Sequence, residues 1–144
     1  MAAHVAQVCL WYAIDLATGP TETSVVSLST DPDAPPADVL RSLEAHAALL
    51  AAVIDDPTGD GPERRGFHPF GTADPAGFSA MACDELLVHG DDMARAFGVD
   101  VEPPDDLCRA VLERLFPWVD SSTPAWPTLR WANGRAALGD TPPP

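Results

Sequence analysis

Two features of the sequence predict an all-α fold. Apolar residues recur at helical spacing in four long segments. Prolines and glycines cluster between these segments and leave the segments themselves unbroken. One short β-branched run, SVVSL at 24–28, is either a strand or a loop that crosses between helices. A chain of 144 residues is long enough for one domain with a hydrophobic core, so we expect a helical bundle.

Two helices are predicted in the amino-terminal half. The first covers 2–17, because its apolar residues fall at helical spacing, and it stops at the breaker pair Gly19-Pro20. The second follows the segment DAPPAD, since first helical turns favour prolines and acids, and it runs to about Asp56. The stretch 57–75 has turn dipeptides and no periodicity, so we expect a long loop whose aromatic residues pack over a site.

The carboxy-terminal half is predicted to contain two further helices and a short final one. The third helix spans about 75–97, with Gly98 as its carboxy-terminal cap. The fourth begins after two consecutive prolines and continues to Pro117. The segment TLRWANGRAAL forms a short helix interrupted by an Asn-Gly pair. We expect a single helical domain over 1–138 and a disordered tail over 139–144.

The composition disfavours several classes of function. The net charge of -14 repels nucleic acid and anionic membranes. No apolar run reaches the length of a membrane span, and no basic residue precedes the first apolar run, so a cytoplasmic protein is predicted. The odd number of cysteines, and their positions within apolar helical patterns, predict buried free thiols at Cys9, Cys83 and Cys108.

The feature most informative about function is the pair Glu85 and His89, four residues apart in the third helix. Residues at this spacing share a helical face, and here the face also carries Phe78 and Ala82, so both polar groups are predicted to point at the core. An unpaired buried carboxylate costs several kcal/mol, whereas a divalent metal satisfies carboxylate and imidazole together. The alternative is an ordinary polar pair at the surface.

The polar residues of the opposite face strengthen the metal interpretation. That face carries Asp84, Asp91 and Arg95, and it is predicted to be solvated. Asp92, three residues after His89, is either an acceptor for the imidazole N–H or a solvated acid.

A third ligand is needed, because catalytic zinc commonly takes three protein ligands and leaves a fourth position open. Among the remaining histidines His4 ranks first, since it shares a helical stripe with Val8, Trp11 and Asp15 that should face the interior. His68, in the long loop, ranks second, and His46, in the middle of the second helix, ranks third.

Other candidate residues have two interpretations each. Arg64 and Arg65 form either a solvated pair or a site that receives a carboxylate substrate. The tryptophans are more typical of core or loop packing than of substrate contacts.

The run DELLVHGDDMARAFG resembles the signature E-x-x-x-H-G-x-D-x-A-R-A-x-G of mycothiol-dependent maleylpyruvate isomerase metal-binding domains. These domains belong to the DinB/YfiT-like four-helix bundle superfamily. The opening AHVAQVCLWYAIDL is similar to the earlier helix of that family, whose histidine follows a small apolar residue as His4 follows Ala3. The similarity extends from about 2 to 138.

This resemblance implies a divalent metal, usually zinc, held by His4, Glu85 and His89. It implies a thiolate of mycothiol as nucleophile and an unsaturated acid such as maleylpyruvate as substrate, for isomerase or thiol S-transferase chemistry.

Two departures from the family modify these expectations. Family members carry another helix before the one with the first histidine, so we expect a DinB-like bundle that lacks the usual first helix, or a start earlier than Met1. The uncovered apolar face would then favour a homodimer. The isomerases also have a carboxy-terminal domain for which this chain has no room. A non-catalytic metal-binding or protein-interaction bundle, including a truncated family member, is therefore the alternative.

Overall fold

The computed structural model describes residues 1–23, 25–56 and 63–144. Within them it contains five helices and one two-stranded hairpin, so the predicted helical class is confirmed. The elements are α1 (Ala2–Thr18), α2 (Pro36–Ile54), β1 (Gly66–His68), β2 (Gly71–Ala73), α3 (Pro75–Ala96), α4 (Asp105–Leu115) and α5 (Ala125–Ala132). None of the described helices combines the length and the apolar character that a membrane crossing requires.

The helix boundaries follow the predicted local signals. Proline occupies the first turn of α2, where the missing N–H costs nothing, and Asp38 supplies negative charge near the positive end of the helix. At the end of α3, Gly98 has φ 70°, its N–H donates to Arg95 O at 3.0 Å, and Val99 N–H donates to Ala94 O at 2.9 Å. This pair of bonds is the Schellman motif, so the prediction of Gly98 as the cap is confirmed.

The chain divides into two compact units, Met1–Ala82 and Cys83–Pro144, and the boundary falls inside α3. In the first unit α1 packs against α2. Its core contains Ala13, Leu50 and Ala82, with Tyr12, Val53 and Ile54 packed around them. A side-chain bond adds to this packing, because His46 Nδ1 donates to Ala6 O at 2.8 Å. The predicted single domain over 1–138 stays a prediction.

The stretch predicted as a long loop contains the hairpin. The strands β1 and β2 pair antiparallel, with Gly66 opposite Ala73 and His68 opposite Gly71. Strands of three residues are too short to show an alternating pattern, so the sequence could not reveal them. The part of the predicted loop over 57–62 lies outside the described residues.

Gly66 brings the hairpin into direct contact with α1. A Cβ at this position would lie 2.6 Å from a ring carbon of Phe78, 2.7 Å from Leu16 Cα and 2.9 Å from Asp15 O. Two of these atoms belong to the α1 backbone and cannot move aside easily. The adjacent Phe67 N–H donates to Gly19 O at 2.9 Å, so β1 is fastened to the end of α1.

The second unit is built on α4 and α5. Its buried core contains Cys108, Val111, Leu112, Ala125 and Leu129. Side chains of the second half of α3, Cys83 and Leu87, pack against this core. None of the three cysteines forms a disulfide among the described residues; Cys9 and Cys108 are buried as predicted, whereas Cys83 is half-buried. Burial raises the pKa of the Cys108 thiol.

Two short predicted segments have different outcomes. Residues 25–28 of the β-branched run are not part of a strand, and residue 24 lies outside the described residues. Near the carboxy terminus, Leu138 forms an isolated bridge with Thr141, and Trp131 Nε1 donates to Pro142 O at 2.7 Å. These contacts involve residues of the segment 139–144, whose predicted disorder stays a prediction.

We predict that Gly66→Ala destabilises the protein by about 1–3 kcal/mol, because the methyl group overpacks the contact between β1 and α1. Gly90→Ala is the matched control, since a Cβ at Gly90 meets no described atom within 4 Å beyond its own helix. That control should be neutral or stabilising by up to about 1 kcal/mol, as alanine is the better helix former. Urea denaturation measures both variants, and equal stabilities would refute the close contact.

Candidate metal centre

Glu85 and His89 lie side by side in the second half of α3. His89 Nε2 is 3.2 Å from Glu85 Oε2, and 19% of the His89 side chain and 26% of the Glu85 side chain are exposed. The pair is therefore half-buried, which is less burial than a position in the core would give. Partial burial still removes much of the hydration of both groups while leaving a path for solvent.

The separation of the two donor atoms suits one shared cation. Zinc binds imidazole nitrogen and carboxylate oxygen at about 2.0–2.2 Å with tetrahedral angles, which places neighbouring donor atoms about 3.3 Å apart. The observed 3.2 Å agrees with that separation. An imidazole and a carboxylate are also a donor set that zinc commonly takes.

Asp92 orients His89 from the other side of the ring. Its Oδ2 lies 3.3 Å from His89 Nδ1, so it can accept the Nδ1 proton. A neutral imidazole that carries its proton on Nδ1 has its lone pair on Nε2, the atom that faces Glu85. Of the two interpretations of Asp92, the geometry favours the acceptor of the imidazole N–H.

Arg135 holds Asp92 in place, and the sequence did not single it out. Its Nη2 and Nε donate to Asp92 Oδ2 at 3.1 and 3.3 Å. The backbone turn that follows α5 positions it, since Gly134 has φ 72° and Arg135 N–H donates to Arg130 O at 2.8 Å. The Asn133-Gly134 pair predicts an interruption of the final helix, and α5 ends at Ala132 beside it, but the pair does not reveal the contact with Asp92.

His4 lies in the first turn of α1, where its backbone N–H donates to Met1 O at 2.9 Å. The residue is exposed, so the expectation that it turns into the interior with Val8, Trp11 and Asp15 is wrong for His4 itself. The stripe becomes buried only further along α1, where Val8 and Trp11 are half-buried and Asp15 is buried. A residue at the start of a helix has no preceding turn to cover it.

His4 belongs to the first unit, whereas Glu85 and His89 belong to the second. Glu85 and His89 therefore offer two candidate ligand atoms within one unit. His68 and His46, the second and third choices for the remaining ligand, also belong to the first unit. Binding of a metal by His4, Glu85 and His89 stays a prediction.

The opposite face of α3 differs from the sequence prediction. Asp91 is 1% exposed, and its Oδ2 lies 2.8 Å from Arg95 Nε and 3.1 Å from Arg130 Nε. Asp84 Oδ1 accepts a hydrogen bond from Asn133 Nδ2 at 2.9 Å. Burial raises the pKa of Asp84 to about 6, although the Asn133 bond opposes the shift. The prediction of a solvated face is therefore wrong for Asp84 and Asp91, because residues at the end of α5 contact them.

The two adjacent arginines both have partners within the first unit. Arg64 Nη1 donates to Val53 O at 2.8 Å, which satisfies a carbonyl in the last turn of α2. Arg65 Nη1 lies 3.8 Å from Asp74 Oδ2 and donates to Arg64 O at 3.2 Å. A role of either residue in binding a carboxylate substrate stays a prediction.

No protein-family model matches the chain, and no curated protein and no solved structure matches it either.

We predict that Arg130→Met destabilises the protein by about 3 kcal/mol, because the buried Asp91 carboxylate loses one of its two cations. Arg41→Met is the control, since Arg41 pairs with Asp38 at the surface of α2 and such pairs contribute less than about 1 kcal/mol. Thermal and urea unfolding measure both. Equal losses of stability in the two variants would show that the pair of Asp91 and Arg130 contributes no more than a surface pair.

Proposed function

We propose that this chain is a metal-binding helical domain of the mycothiol-dependent maleylpyruvate isomerase type, with a DinB-like bundle fold. In this proposal His4, Glu85 and His89 bind one divalent metal, zinc by preference. The domain uses the metal to activate a low-molecular-weight thiol for transferase or isomerase chemistry.

The observation that carries the proposal is the arrangement Glu85, His89, Asp92 and Arg135 in the second unit. Arg135 donates to Asp92, and Asp92 is placed to accept the Nδ1 proton of His89. The lone pair of His89 Nε2 then lies beside the Glu85 carboxylate, where both could bind one metal ion. Metal-binding histidines commonly donate their second N–H to a carboxylate in this way. A surface polar pair would not need the outer carboxylate or its arginine.

His4 is proposed as the third ligand because the opening helix resembles the family helix that carries the first histidine. Its exposure is compatible with a coordination position open to solvent. A divalent metal bound there would lower the pKa of a coordinated thiol or water, so that a nucleophile is available near neutral pH. Glu85 and the two histidines act as ligands in this scheme, and Asp92 as the positioning residue for His89.

The thiol and the substrate follow from the resemblance alone. Mycothiol as the thiol, and an unsaturated acid as its acceptor, are proposed because the signature around Glu85 and His89 resembles that of the isomerase domains.

A non-catalytic role is the second candidate. Exposed apolar side chains on α2 support it, since Leu40 and Leu49 are 48% and 46% exposed. Each of these side chains offers apolar surface that a partner protein could cover. In that case the metal, if bound, would add stability by mass action, and no thiol would coordinate.

We predict that protein purified without chelator contains stoichiometric zinc, measured by elemental analysis. His4→Ala, Glu85→Gln and His89→Ala should each abolish retention, whereas Asp92→Asn should weaken affinity by about 10- to 100-fold. His46→Ala is the matched control and should retain the metal, because His46 is bonded to Ala6 O. Zinc retained by His4→Ala and lost from His68→Ala would instead make His68 the third ligand.

We predict that a low-molecular-weight thiol coordinates the metal directly. With cobalt in place of zinc, addition of the thiol should produce a thiolate-to-metal charge-transfer band in the near ultraviolet, and an alcohol of the same skeleton should not. The band should be absent in His89→Ala. A cobalt-loaded protein whose spectrum is unchanged by thiol would contradict thiol activation and favour the non-catalytic role.

A further inference from the structure

We propose that a cavity in the first unit binds a small organic ammonium ion with an apolar body, and that the Asp15 carboxylate is its charge partner. The cavity has a volume of about 390 Å³, within the range of ligand pockets. It is lined by Val8, Trp11, Tyr12, Asp15, Glu22, Thr23, Phe67, His68 and Pro69. The proposal does not require a metal, so it stands or falls separately from the proposed thiol chemistry.

Asp15 is the polar group that points to a ligand. It is 9% exposed, yet it borders the cavity, and no hydrogen bond to its carboxylate comes from the described residues. Burial raises the pKa of Asp15, and the nearby His68 only partly opposes this effect. A desolvated carboxylate without donors is costly, and a bound ammonium group would supply the missing charge and hydrogen bonds.

The remaining walls suit the apolar part of such a ligand. Trp11, Tyr12 and Phe67 contribute aromatic rings, whose faces attract cations as well as apolar groups. Tyr12 is held by ring contacts, with centroids 5.4 Å from Phe78 and 6.0 Å from His68. A fixed aromatic wall reduces the entropy lost on binding.

The charges around the cavity select for a cation. Glu22 is a second carboxylate, its charge raises the pKa of Asp15 further, and no lysine or arginine is among the described lining residues. The whole chain carries a net charge of -14, which adds to the attraction of cations. An anionic ligand would meet two carboxylates here and would be repelled.

Local structure explains why these side chains converge. Val8, Trp11 and Asp15 follow one another at spacings of three and four on one face of α1. The close contact of Gly66 with Leu16 and Asp15 then places β1 beside that face, so that Phe67 and His68 complete the wall.

The test uses the full chain and three probes of similar size: phenethylammonium, 3-phenyl-1-propanol and 3-phenylpropionate. Tryptophan fluorescence and ligand-observed NMR report binding, in chelator-treated and in zinc-loaded protein. We expect phenethylammonium to bind at least about tenfold more tightly than the other two, in both preparations. Equal binding of the three probes, or binding of the propionate alone, would overturn the proposal.

Two variants test the assigned charge partner. Asp15→Asn, nearly isosteric, should weaken phenethylammonium binding about tenfold, and Glu22→Gln should weaken it by a smaller factor. Asp33→Asn is the control, because it removes the same charge from an exposed site that does not line the cavity. An unchanged affinity in Asp15→Asn, or an equal loss in Asp33→Asn, would overturn the role of Asp15. If Asp15→Asn does not fold, an unchanged affinity in Glu22→Gln is the result that counts against the proposal.

Discussion

A carboxylate removed from water is unstable unless a cation or hydrogen-bond donors compensate its charge, and α3 carries several such carboxylates. Each of them has a different compensating partner. Asp91 lies between two guanidinium groups, and Asp92 lies between Arg135 and the His89 ring. Asp84 accepts a hydrogen bond from the Asn133 amide, and burial raises the pKa of its carboxyl to about 6. Glu85 faces the imidazole of His89, and that pair is the one whose geometry suits a metal. The proposed function therefore depends on which partner compensates each buried carboxylate of α3.

Much of this arrangement could be predicted from the sequence, because its signals are local. Helical periodicity, proline at helix starts and Gly98 after α3 act over a few residues, and the i, i+4 spacing alone places Glu85 beside His89. The burial of Asp91 could not be predicted, since its partner Arg130 lies on a helix far along the chain. The same holds for Arg135, whose contact with Asp92 depends on a turn after α5. A helical wheel assigns faces to a helix, but it does not show which faces other elements cover.

The cavity beside Asp15 differs from the proposed metal site in the charge of the ligand that it favours. His4 and the cavity residues Val8, Trp11 and Asp15 follow one another along one face of α1. The resemblance implies an unsaturated acid as substrate, whereas two carboxylates border this cavity and would repel one. The proposed acid acceptor of the thiol would therefore bind at a site other than this cavity. The proposed thiol chemistry and the proposed ammonium site thus rest on different residues.

Anomalous diffraction at the zinc edge, from crystals of the zinc-loaded protein, would locate the metal ion that we propose is bound by His4, Glu85 and His89. We expect a single strong peak about 2.0–2.2 Å from His89 Nε2, a Glu85 carboxylate oxygen and an imidazole nitrogen of His4, with Asp92 bonded to His89 Nδ1. A peak bound to other side chains, or crystals in which these three donors surround no metal at saturating zinc, would contradict it.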